Sequence, residues 1–168
     1  CYGNITNKDL FFNYAKSVNP HILFHLAAQP LVKESYSNPY DTFETNVIGM
    51  LNVLEYAKSS KYLKSVVLIT SDKCYKNKEL SSGYSEESEL GGDDPYSASK
   101  AAAEILFSSY NKSFFKKKKI GIATARAGNV IGGGDWNKDR LVPDAIKSII
   151  KKKELIIRSP DSVRPWQH

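Results

Sequence analysis

Apolar and polar positions along the chain predict strands that alternate with helices. His21–Leu26, Ser65–Thr70 and Ile120–Ala125 are largely apolar runs of strand length. Apolar residues also recur at helical spacing, first over Asn7–Ser17 and then in a longer segment that begins at Pro39. Continuous apolar strands are typical of a parallel sheet that is covered on both faces. We therefore expect an α/β fold in which a parallel sheet carries helices on both faces.

The second half of the chain continues this alternation after a long polar loop, Ser71–Asp93. Asp94 and Pro95 predict the start of a helix, because aspartate is a favoured cap and proline fits the first turn. The stripe that this helix is expected to bury consists of Ala101, Ala102, Ile105 and Leu106. A further helix is predicted near Val142–Lys152 and a short strand at Leu155–Ile157.

Three motifs directly follow the predicted strands. They are "HLAAQP", "ITSDKCY" and "ARAGNVIGGGDW". In open parallel sheets, ligands bind beyond the carboxyl ends of the strands. We therefore expect the three motifs to meet at one rim of the sheet and to form a binding site there.

Tyr96 and Lys100 lie four residues apart on the helix that begins at Pro95, so they share one face. A phenol normally loses its proton near pH 10, but a neighbouring ammonium group favours the phenolate and lowers that pKa. Such a pair can pass a proton to or from an alcohol oxygen. The same spacing also occurs in surface pairs without a catalytic role. The position of this pair directly after the central strand and its "SDK" loop favours catalysis.

Composition and charge narrow the classes of function. The chain has only two cysteines, Cys1 and Cys74, which argues against a disulfide framework and fits a reducing cytosol. Much of the net charge of +6 lies in Lys116–Lys119 and Lys151–Lys153. No aromatic residues interleave with these lysines, so we expect solvated turns and no nucleic-acid partner. The sequence shows no apolar run of membrane-spanning length and no metal-ligand cluster.

The motifs above, together with "TNVIGMLNVLE", "DPYSASKAAAE", "DRLVPD" and "RPWQH", resemble those of the extended short-chain dehydrogenase/reductases that modify nucleotide sugars. The resemblance covers almost the whole chain. It implies a Rossmann-like sheet, NAD as cofactor, a nucleotide-sugar substrate and a cytoplasmic role in O-antigen biosynthesis. Within the family, the chain is most similar to the branch that dehydrates CDP-glucose to CDP-4-keto-6-deoxyglucose.

The resemblance implies five catalytic residues. Tyr96, helped by Lys100, would take the proton from O4 during oxidation at C4, and Ser71 would hydrogen-bond the same oxygen. Asp72 would protonate the departing C6 hydroxyl. Lys73 stands where related dehydratases carry glutamate and would remove the C5 proton. That role requires a pKa well below the usual value of about 10.4, and a salt bridge to Asp72 is the alternative.

For the cofactor, the resemblance implies contacts from small and polar residues. The predicted cofactor-binding residues are Asn4, Ile5, Ala27, Ala28, Gln29 and Thr70, with Tyr96 and Lys100. Asn4 departs from the family, which has aspartate there, although an amide can still bond to an adenine amine. For Ala27 and Ala28 the alternative is close packing of a helix on the sheet. The chain lacks a glycine-rich phosphate loop, so we expect an internal piece of a longer protein.

On the substrate side, the resemblance points to Asn129, Arg140, Arg164 and His168. The planar guanidinium group matches the oxygens of a diphosphate, but Arg140 can also be a solvated surface residue. We expect 1–153 to be the later part of the NAD-binding domain and 154–168 the start of a substrate-binding region. Relatives form dimers or tetramers through two helices, here around Asp41–Lys58 and Tyr96–Phe114.

Two other functions compete with dehydration. A nucleotide-sugar 4-epimerase would need Tyr96 and Lys100 but no acid and base at Asp72 and Lys73. A non-catalytic domain that binds nucleotide sugars would need none of the four, so the intact set argues against it. Only the resemblance, and no physical property of the residues, favours CDP over other nucleotides.

Overall fold

The computed structural model describes residues 2–168. The chain forms two compact units, one that extends through Arg126 and one that comprises Ala127–His168. Among the described residues, no helix has the length and apolar character needed to cross a membrane. The predicted division into a cofactor domain, 1–153, and a substrate-binding region, 154–168, is functional and stays a prediction.

The larger sheet contains the three predicted strands. They are β1 (Ile22–His25), β2 (Ser65–Ser71) and β3 (Gly121–Ala127), with β2 in the centre. β1 and β2 run parallel, with Ile22 opposite Ser65 and His25 opposite Leu68. The carboxyl ends of β1 and β2 therefore lie at the same rim, where two of the three motifs begin. The α/β prediction is confirmed.

The hydrophobic core joins one face of this sheet to α4 (Gly49–Ser59) and also contains Ala15, Ala103 and Phe115. Leu54 on the helix and Val66 and Leu68 on β2 are almost completely buried. Burial of such a side chain contributes about 1.5–3 kcal/mol relative to exposure. On β1, Phe24 points to the other face, since side chains alternate along a strand, and it is 63% exposed. The sheet therefore buries the Val66 and Leu68 face most deeply.

Two short segments frame β1. α1 (Lys8–Val18) begins after Asn7, whose side-chain oxygen accepts a hydrogen bond from Leu10 N at 3.0 Å. This helix lies where the apolar spacing predicts it. α2 (Val32–Ser37) follows β1 and is not predicted from the sequence, because a helix of six residues shows too little periodicity.

The helix predicted from Pro39 is present but is not regular throughout. It begins as α3 (Pro39–Phe43), passes through a π-helical turn at Glu44–Ile48 and continues as α4. A π-helical turn shifts the positions that face the interior, and such turns are frequent at functional sites. Here the turn contains Asn46, which is buried.

The next helix, α5 (Pro95–Tyr110), begins where it is predicted. Asp94 Oδ1 accepts a hydrogen bond from Ser97 N at 3.0 Å and so caps the helix. The predicted buried stripe is wrong in part: Ala101 is buried, but Ile105 is 59% exposed. The most deeply buried residues of the helix are Ser99, Ala103 and Glu104, and Lys100 is also buried. Ser99 and Glu104 form hydrogen bonds with other buried residues, so this polar face of the helix can be turned inward.

The second unit contains α6 (Leu141–Lys151) and a two-stranded parallel sheet of β4 (Asn129–Val130) and β5 (Trp166–Gln167). The helix agrees with its prediction to within one residue. The predicted strand at Leu155–Ile157 is wrong, because that segment pairs with no strand within residues 2–168 and Ile156 is exposed. The segment that pairs with β4 is β5.

The lysine run before β3 forms an exposed turn, as predicted. Lys118 in this turn also has a structural role. Its ammonium group donates hydrogen bonds to Ala57 O, at 3.2 Å, and to Lys58 O. A cation at a helix C-terminus satisfies free carbonyl groups and interacts favourably with the helix dipole, so Lys118 stabilises the end of α4.

Candidate active site

Ser71, Asp72 and Lys73 form the end of β2 and the 3₁₀ turn that follows it, Asp72–Cys74. The Ser71 hydroxyl donates to Asp72 Oδ1 at 3.1 Å and accepts from Lys73 N at 3.2 Å. Ser71 is buried, whereas Asp72 and Lys73 are half-buried. Among the described residues, no ion pair joins Lys73 to Asp72. The salt-bridge alternative for Lys73 therefore finds no support here.

Tyr96 and Lys100 lie in the first two turns of α5 and are both buried. Lys100 Nζ lies 5.9 Å from the centre of the Tyr96 ring. Burial lowers the pKa of the Lys100 ammonium group, while Cys74 and Glu104 act in the opposite direction. The ammonium group lies within the range of a cation–π contact with the Tyr96 ring, and the proton transfer by this pair stays a prediction.

The turn Asp72–Cys74, which carries Asp72 and Lys73, packs against α5, which carries Tyr96 and Lys100. The chain that precedes α5 is bound back to this turn, because Gly91 N donates to Cys74 O at 2.9 Å. A β-carbon at Gly92 would lie 2.5 Å from Ala98 N, closer than any side chain can approach. The loop after the turn is therefore held against the first turn of α5, which contains Tyr96.

Asn46 connects the motif after β1 with α5. Its Nδ2 donates to Ser99 Oγ at 2.9 Å and to Gln29 O at 3.1 Å, and its Oδ1 accepts from Gln29 N at 2.9 Å. Ser99 Oγ donates in turn to Tyr96 O at 2.7 Å. Because each of these groups is satisfied within the fold, the network fixes the start of α5 relative to the rim of the sheet.

Two titratable groups near Lys100 are held in their neutral forms. Burial lowers the pKa of His25 to about 4, and the charge of Lys100 adds to the effect. Burial raises the pKa of the Cys74 thiol to about 11. Both groups are therefore uncharged near pH 7. This fits a structural role for His25.

A cleft of about 190 Å³ brings together two parts of the predicted cofactor site, Gly3–Ile5 and Ala27. Its other walls are Leu10, Phe11 and Tyr14 of α1. Asn52 holds the loop at its edge by donating to Ile5 O at 2.9 Å, and Asn4 Oδ1 accepts a backbone hydrogen bond of 3.0 Å within that loop. Mainly apolar walls with a few polar groups suit a flat heterocycle. The contacts of Asn4, Ile5 and Ala27 with the adenine of NAD stay predictions.

Other predicted cofactor residues already have partners within the protein. The Gln29 side chain donates to Thr42 Oγ1 at 2.7 Å, and the Thr70 hydroxyl donates to Glu104 Oε1 at 2.5 Å. Ala28 is half-buried beside them in sequence. The side chains of Gln29 and Thr70 are therefore engaged within the fold, and Asn46 also bonds the backbone N–H and C=O of Gln29. The cofactor roles of these residues stay predictions.

The predicted substrate residues all lie in the second unit. Asn129 lies in β4, and its backbone N–H donates to Pro165 O at 3.1 Å. Arg140 precedes α6 and lies 3.2 Å from Asp135 Oδ2, so it is an ion-paired residue and not a freely solvated one. Arg164 and His168 are exposed. Their contacts with a nucleotide sugar stay predictions.

Sequence reasoning missed a buried ion pair beside the site. Glu104 Oε2 lies 2.8 Å from Arg126 NH2, and the Glu104 side chain is 2% exposed. The hydrogen bond from this carboxylate raises the pKa of the Arg126 guanidinium above its usual range. One signal could have identified Glu104: it lies four residues after Lys100 and eight after Tyr96, on the same face of a helix.

The chain is similar to curated nucleotide-sugar dehydratases. It is 48% identical to CDP-glucose 4,6-dehydratase of Salmonella typhimurium, over 99% of this chain and 48% of that protein. It is 31% identical to dTDP-D-glucose 4,6-dehydratase of Dictyostelium discoideum, over 92% of this chain and 37% of that protein. The chain therefore spans about half the length of these relatives or less.

Solved structures share the fold. A dTDP-glucose 4,6-dehydratase of Bacillus anthracis in complex with NAD matches with a TM-score of 0.77 at 26% identity, over 99% of this chain and 49% of that one. UDP-glucose 4-epimerase of Thermotoga maritima with UDP-glucose matches with a TM-score of 0.83 at 20% identity, over 98% and 53% of the two chains. These likenesses confirm the Rossmann-like fold. The sequence pattern of the NAD dependent epimerase/dehydratase family matches residues 1–168, and the chain belongs to this family.

Proposed function

We propose that this chain is part of an NAD-dependent enzyme that dehydrates CDP-glucose to CDP-4-keto-6-deoxyglucose. The observation that carries the proposal is the packing of the Asp72–Cys74 turn against α5, which bears the buried Tyr96 and Lys100. An epimerase needs one proton shuttle, whereas this rim also offers a carboxyl group and a second amine. The 48% identity to a CDP-glucose 4,6-dehydratase supports the choice of nucleotide.

The first step is oxidation at C4. NAD, when bound, accepts a hydride from the sugar and later returns it. Tyr96 takes the proton of the C4 hydroxyl, and the ammonium group of Lys100 stabilises the phenolate that does so. Ser71 hydrogen-bonds O4 and aligns it with the phenol. The resulting C4 ketone makes the hydrogen on C5 acidic, so elimination becomes feasible.

The second step is loss of water across C5 and C6. Lys73 removes the C5 proton, the C6–O bond breaks as a C5–C6 double bond forms, and Asp72 protonates the departing hydroxyl. The half-buried positions of Asp72 and Lys73 leave both side chains partly accessible to a substrate. When hydride returns to C6, Lys73 gives a proton back to C5. The proton that Tyr96 took from O4 leaves the phenol and one proton returns to Asp72, so the net change is the loss of one water molecule from the sugar.

Incubation of the full-length protein with CDP-glucose tests the proposal. We expect a 4-keto-6-deoxy product, identified by NMR. Asp72→Asn should still oxidise C4, so NADH absorbance should accumulate without product. Tyr96→Phe should lose the oxidation step itself. A C4 epimer as product would favour an epimerase, and binding without transient NADH absorbance would favour a non-catalytic domain.

A second experiment tests the role of Lys73. Solvent exchange of the C5 proton in heavy water should be lost in Lys73→Ala. Lys76→Ala is a matched control, because Lys76 is an exposed lysine that pairs with Glu89 at 3.0 Å. Exchange at the wild-type rate in Lys73→Ala would remove Lys73 as the base.

We also propose that the full-length protein forms a dimer or tetramer through the helices of Asp41–Lys58 and α5. Large apolar side chains on these helices, Phe43, Ile48 and Ile105, are 39–59% exposed, and a partner subunit would cover them. Light scattering after size-exclusion chromatography measures the subunit number. Ile105→Glu should reduce it, whereas a monomeric wild type would contradict the proposal.

The same proposal places the enzyme in the cytoplasm and in O-antigen biosynthesis. Cys74 is a buried free thiol, which fits a reducing compartment. Fractionation of cells that produce a tagged full-length protein checks the location. Loss of 6-deoxy sugars from the polysaccharide after deletion of the gene checks the pathway.

A further inference from the structure

We propose that Glu104 is a positioning residue that couples the two halves of the catalytic site, the Tyr96–Lys100 pair on α5 and the turn after β2. This inference rests on the proposed function and adds one residue to the same site. The Glu104 carboxylate is not expected to touch substrate. It acts through the residues that it holds and through its charge.

The Glu104 carboxylate joins three elements in the interior. Its Oε1 accepts from Thr70 Oγ1 at 2.5 Å, and Thr70 directly precedes Ser71. Its Oε2 accepts from Thr124 Oγ1 at 3.1 Å and from Arg126 NH2 at 2.8 Å, both on β3. Glu104 itself lies one helical turn after Lys100. The end of β2 and the Tyr96–Lys100 helix are therefore bound to the same carboxylate.

Arg126 extends this network to the loop after the turn. Its NH1 donates to Tyr75 Oη at 3.2 Å and to Glu86 O at 3.1 Å. The guanidinium carbon lies 5.1 Å from the centre of the Tyr75 ring, which stacks on Tyr84 at 5.2 Å. Because Arg126 compensates the charge of Glu104, the carboxylate can remain in the interior.

Glu104 also acts on Lys100 electrostatically. Burial favours the neutral amine of Lys100, and the negative charge of Glu104 favours the ammonium form. Elements packed against α5 carry further titratable groups: Lys33, Glu34 and Tyr36 on α2, Tyr40 and Asp41 on α3, Glu44 in the π-helical turn, Glu55, Tyr56 and Lys58 on α4, Lys112 after α5, and Asp72, Lys73 and Cys74 in the turn after β2. His25 and Tyr96 lie near Lys100 itself. His25 and Cys74 are neutral near pH 7, so neither supplies a compensating charge. Glu104 is therefore a buried group that helps to keep Lys100 protonated beside Tyr96.

Glu104→Gln in the full-length protein tests the inference. We expect kcat near pH 7 to fall about tenfold or more, because the network loosens. We also expect the alkaline limb of the pH profile of kcat to move down by about one pH unit, since Lys100 loses its proton more easily. Thr70→Val removes one hydrogen bond but keeps the charge, so it should lower kcat without moving the limb.

Glu55→Gln is the matched control. Glu55 also contacts α5, through a hydrogen bond of 2.7 Å from Tyr110, and it pairs with Lys58, but it has no contact with Thr70 or Arg126. Loss of the Glu55 carboxylate should leave the alkaline limb of the pH profile of kcat in place. If Glu104→Gln lowers stability but gives the same pH profile as Glu55→Gln, Glu104 is only a structural residue and the inference is wrong. If Glu104→Gln does not fold, Glu104→Asp is measured instead. Because it keeps the negative charge, Glu104→Asp should lower kcat but leave the alkaline limb of the pH profile in place. A shifted alkaline limb in Glu104→Asp would contradict the inference.

A direct titration of Lys100 separates this inference from the proposed function. NMR of lysine-labelled protein follows the Lys100 side chain with pH, and Lys100→Arg assigns its signal. The measurement needs no substrate, so it remains decisive even if CDP-glucose is not turned over. A lower Lys100 pKa in Glu104→Gln than in the wild type supports the inference, and an unchanged pKa overturns it.

Discussion

His25 should make the stability of the fold sensitive to mild acid. It ends β1, is 5% exposed, and has its pKa lowered to about 4 by burial, with a further contribution from Lys100. In an unfolded chain a histidine titrates near 6.5. Between these values the unfolded chain binds a proton that the folded chain does not. The stabilisation is therefore complete above about pH 6.5 and is lost as the pH falls toward about 4.

The size of the effect follows from the two pKa values. The difference between the two pKa values, 6.5 minus about 4, corresponds to a loss of about 3 kcal/mol of unfolding free energy once the pH lies below both of them. At about pH 5, where most unfolded chains carry the proton and most folded chains do not, the expected loss is about 2 kcal/mol. Replacing His25 with glutamine removes this titration, although the substitution itself will also change stability at pH 7.

Urea denaturation of the full-length protein at about pH 7 and pH 5 measures the effect. The wild type should lose about 2 kcal/mol more unfolding free energy between the two pH values than His25→Gln does. His21→Gln is the control, because His21 is exposed and should leave the wild-type pH dependence intact. Equal losses in the wild type and His25→Gln would refute the claim that burial keeps the imidazole neutral.

Three further substitutions test packing and the placement of α5. Leu54→Ala should lower the unfolding free energy by about 2–5 kcal/mol, because Leu54 is fully buried. Leu80 is exposed, so Leu80→Ala should change the unfolding free energy by less than about 0.5 kcal/mol. Similar values for the two variants in urea denaturation would contradict the assigned core. Gly92→Ala should lower both Tm and kcat, because the new β-carbon would lie 2.5 Å from Ala98 N. Gly133→Ala is the control, because a β-carbon at Gly133 would meet no atom within 4 Å. Wild-type Tm and kcat in both variants would show that the loop is not held against α5. Asp94→Ala should cost about 1 kcal/mol by removing the cap of α5, and an unchanged Tm would argue against that cap.

Features set by neighbouring residues could be predicted from the sequence. The three apolar runs became strands because burial of apolar surface determines their place. α5 began at Pro95 because its cap and its first turn are encoded next to each other. The order of the motifs placed the Asp72–Cys74 turn and α5 at one site, and their packing agrees with that.

Features that depend on distant partners could not be predicted in this way. Glu104 meets Arg126, which lies 22 residues further along the chain, and no local pattern specifies that contact. The strand partner of Asn129–Val130 is Trp166–Gln167 and not the nearer apolar segment, because strand pairing is decided by the fold around it. The same limit explains Ile105, whose apolar side chain faces outward although the helix pattern predicts burial.

Transfer of deuterium from C4 to C6 tests the central claim most directly. The claim is that one site, with Tyr96, Lys100 and the Ser71–Lys73 segment, oxidises C4 and then returns the same hydride to C6 after water has left. CDP-glucose labelled with deuterium at C4 is converted by the full-length protein, and NMR locates the label. The account predicts a 4-keto-6-deoxy product with deuterium at C6. Deuterium retained at C4 of an epimer, or a labelled substrate that is bound and never oxidised, would contradict it.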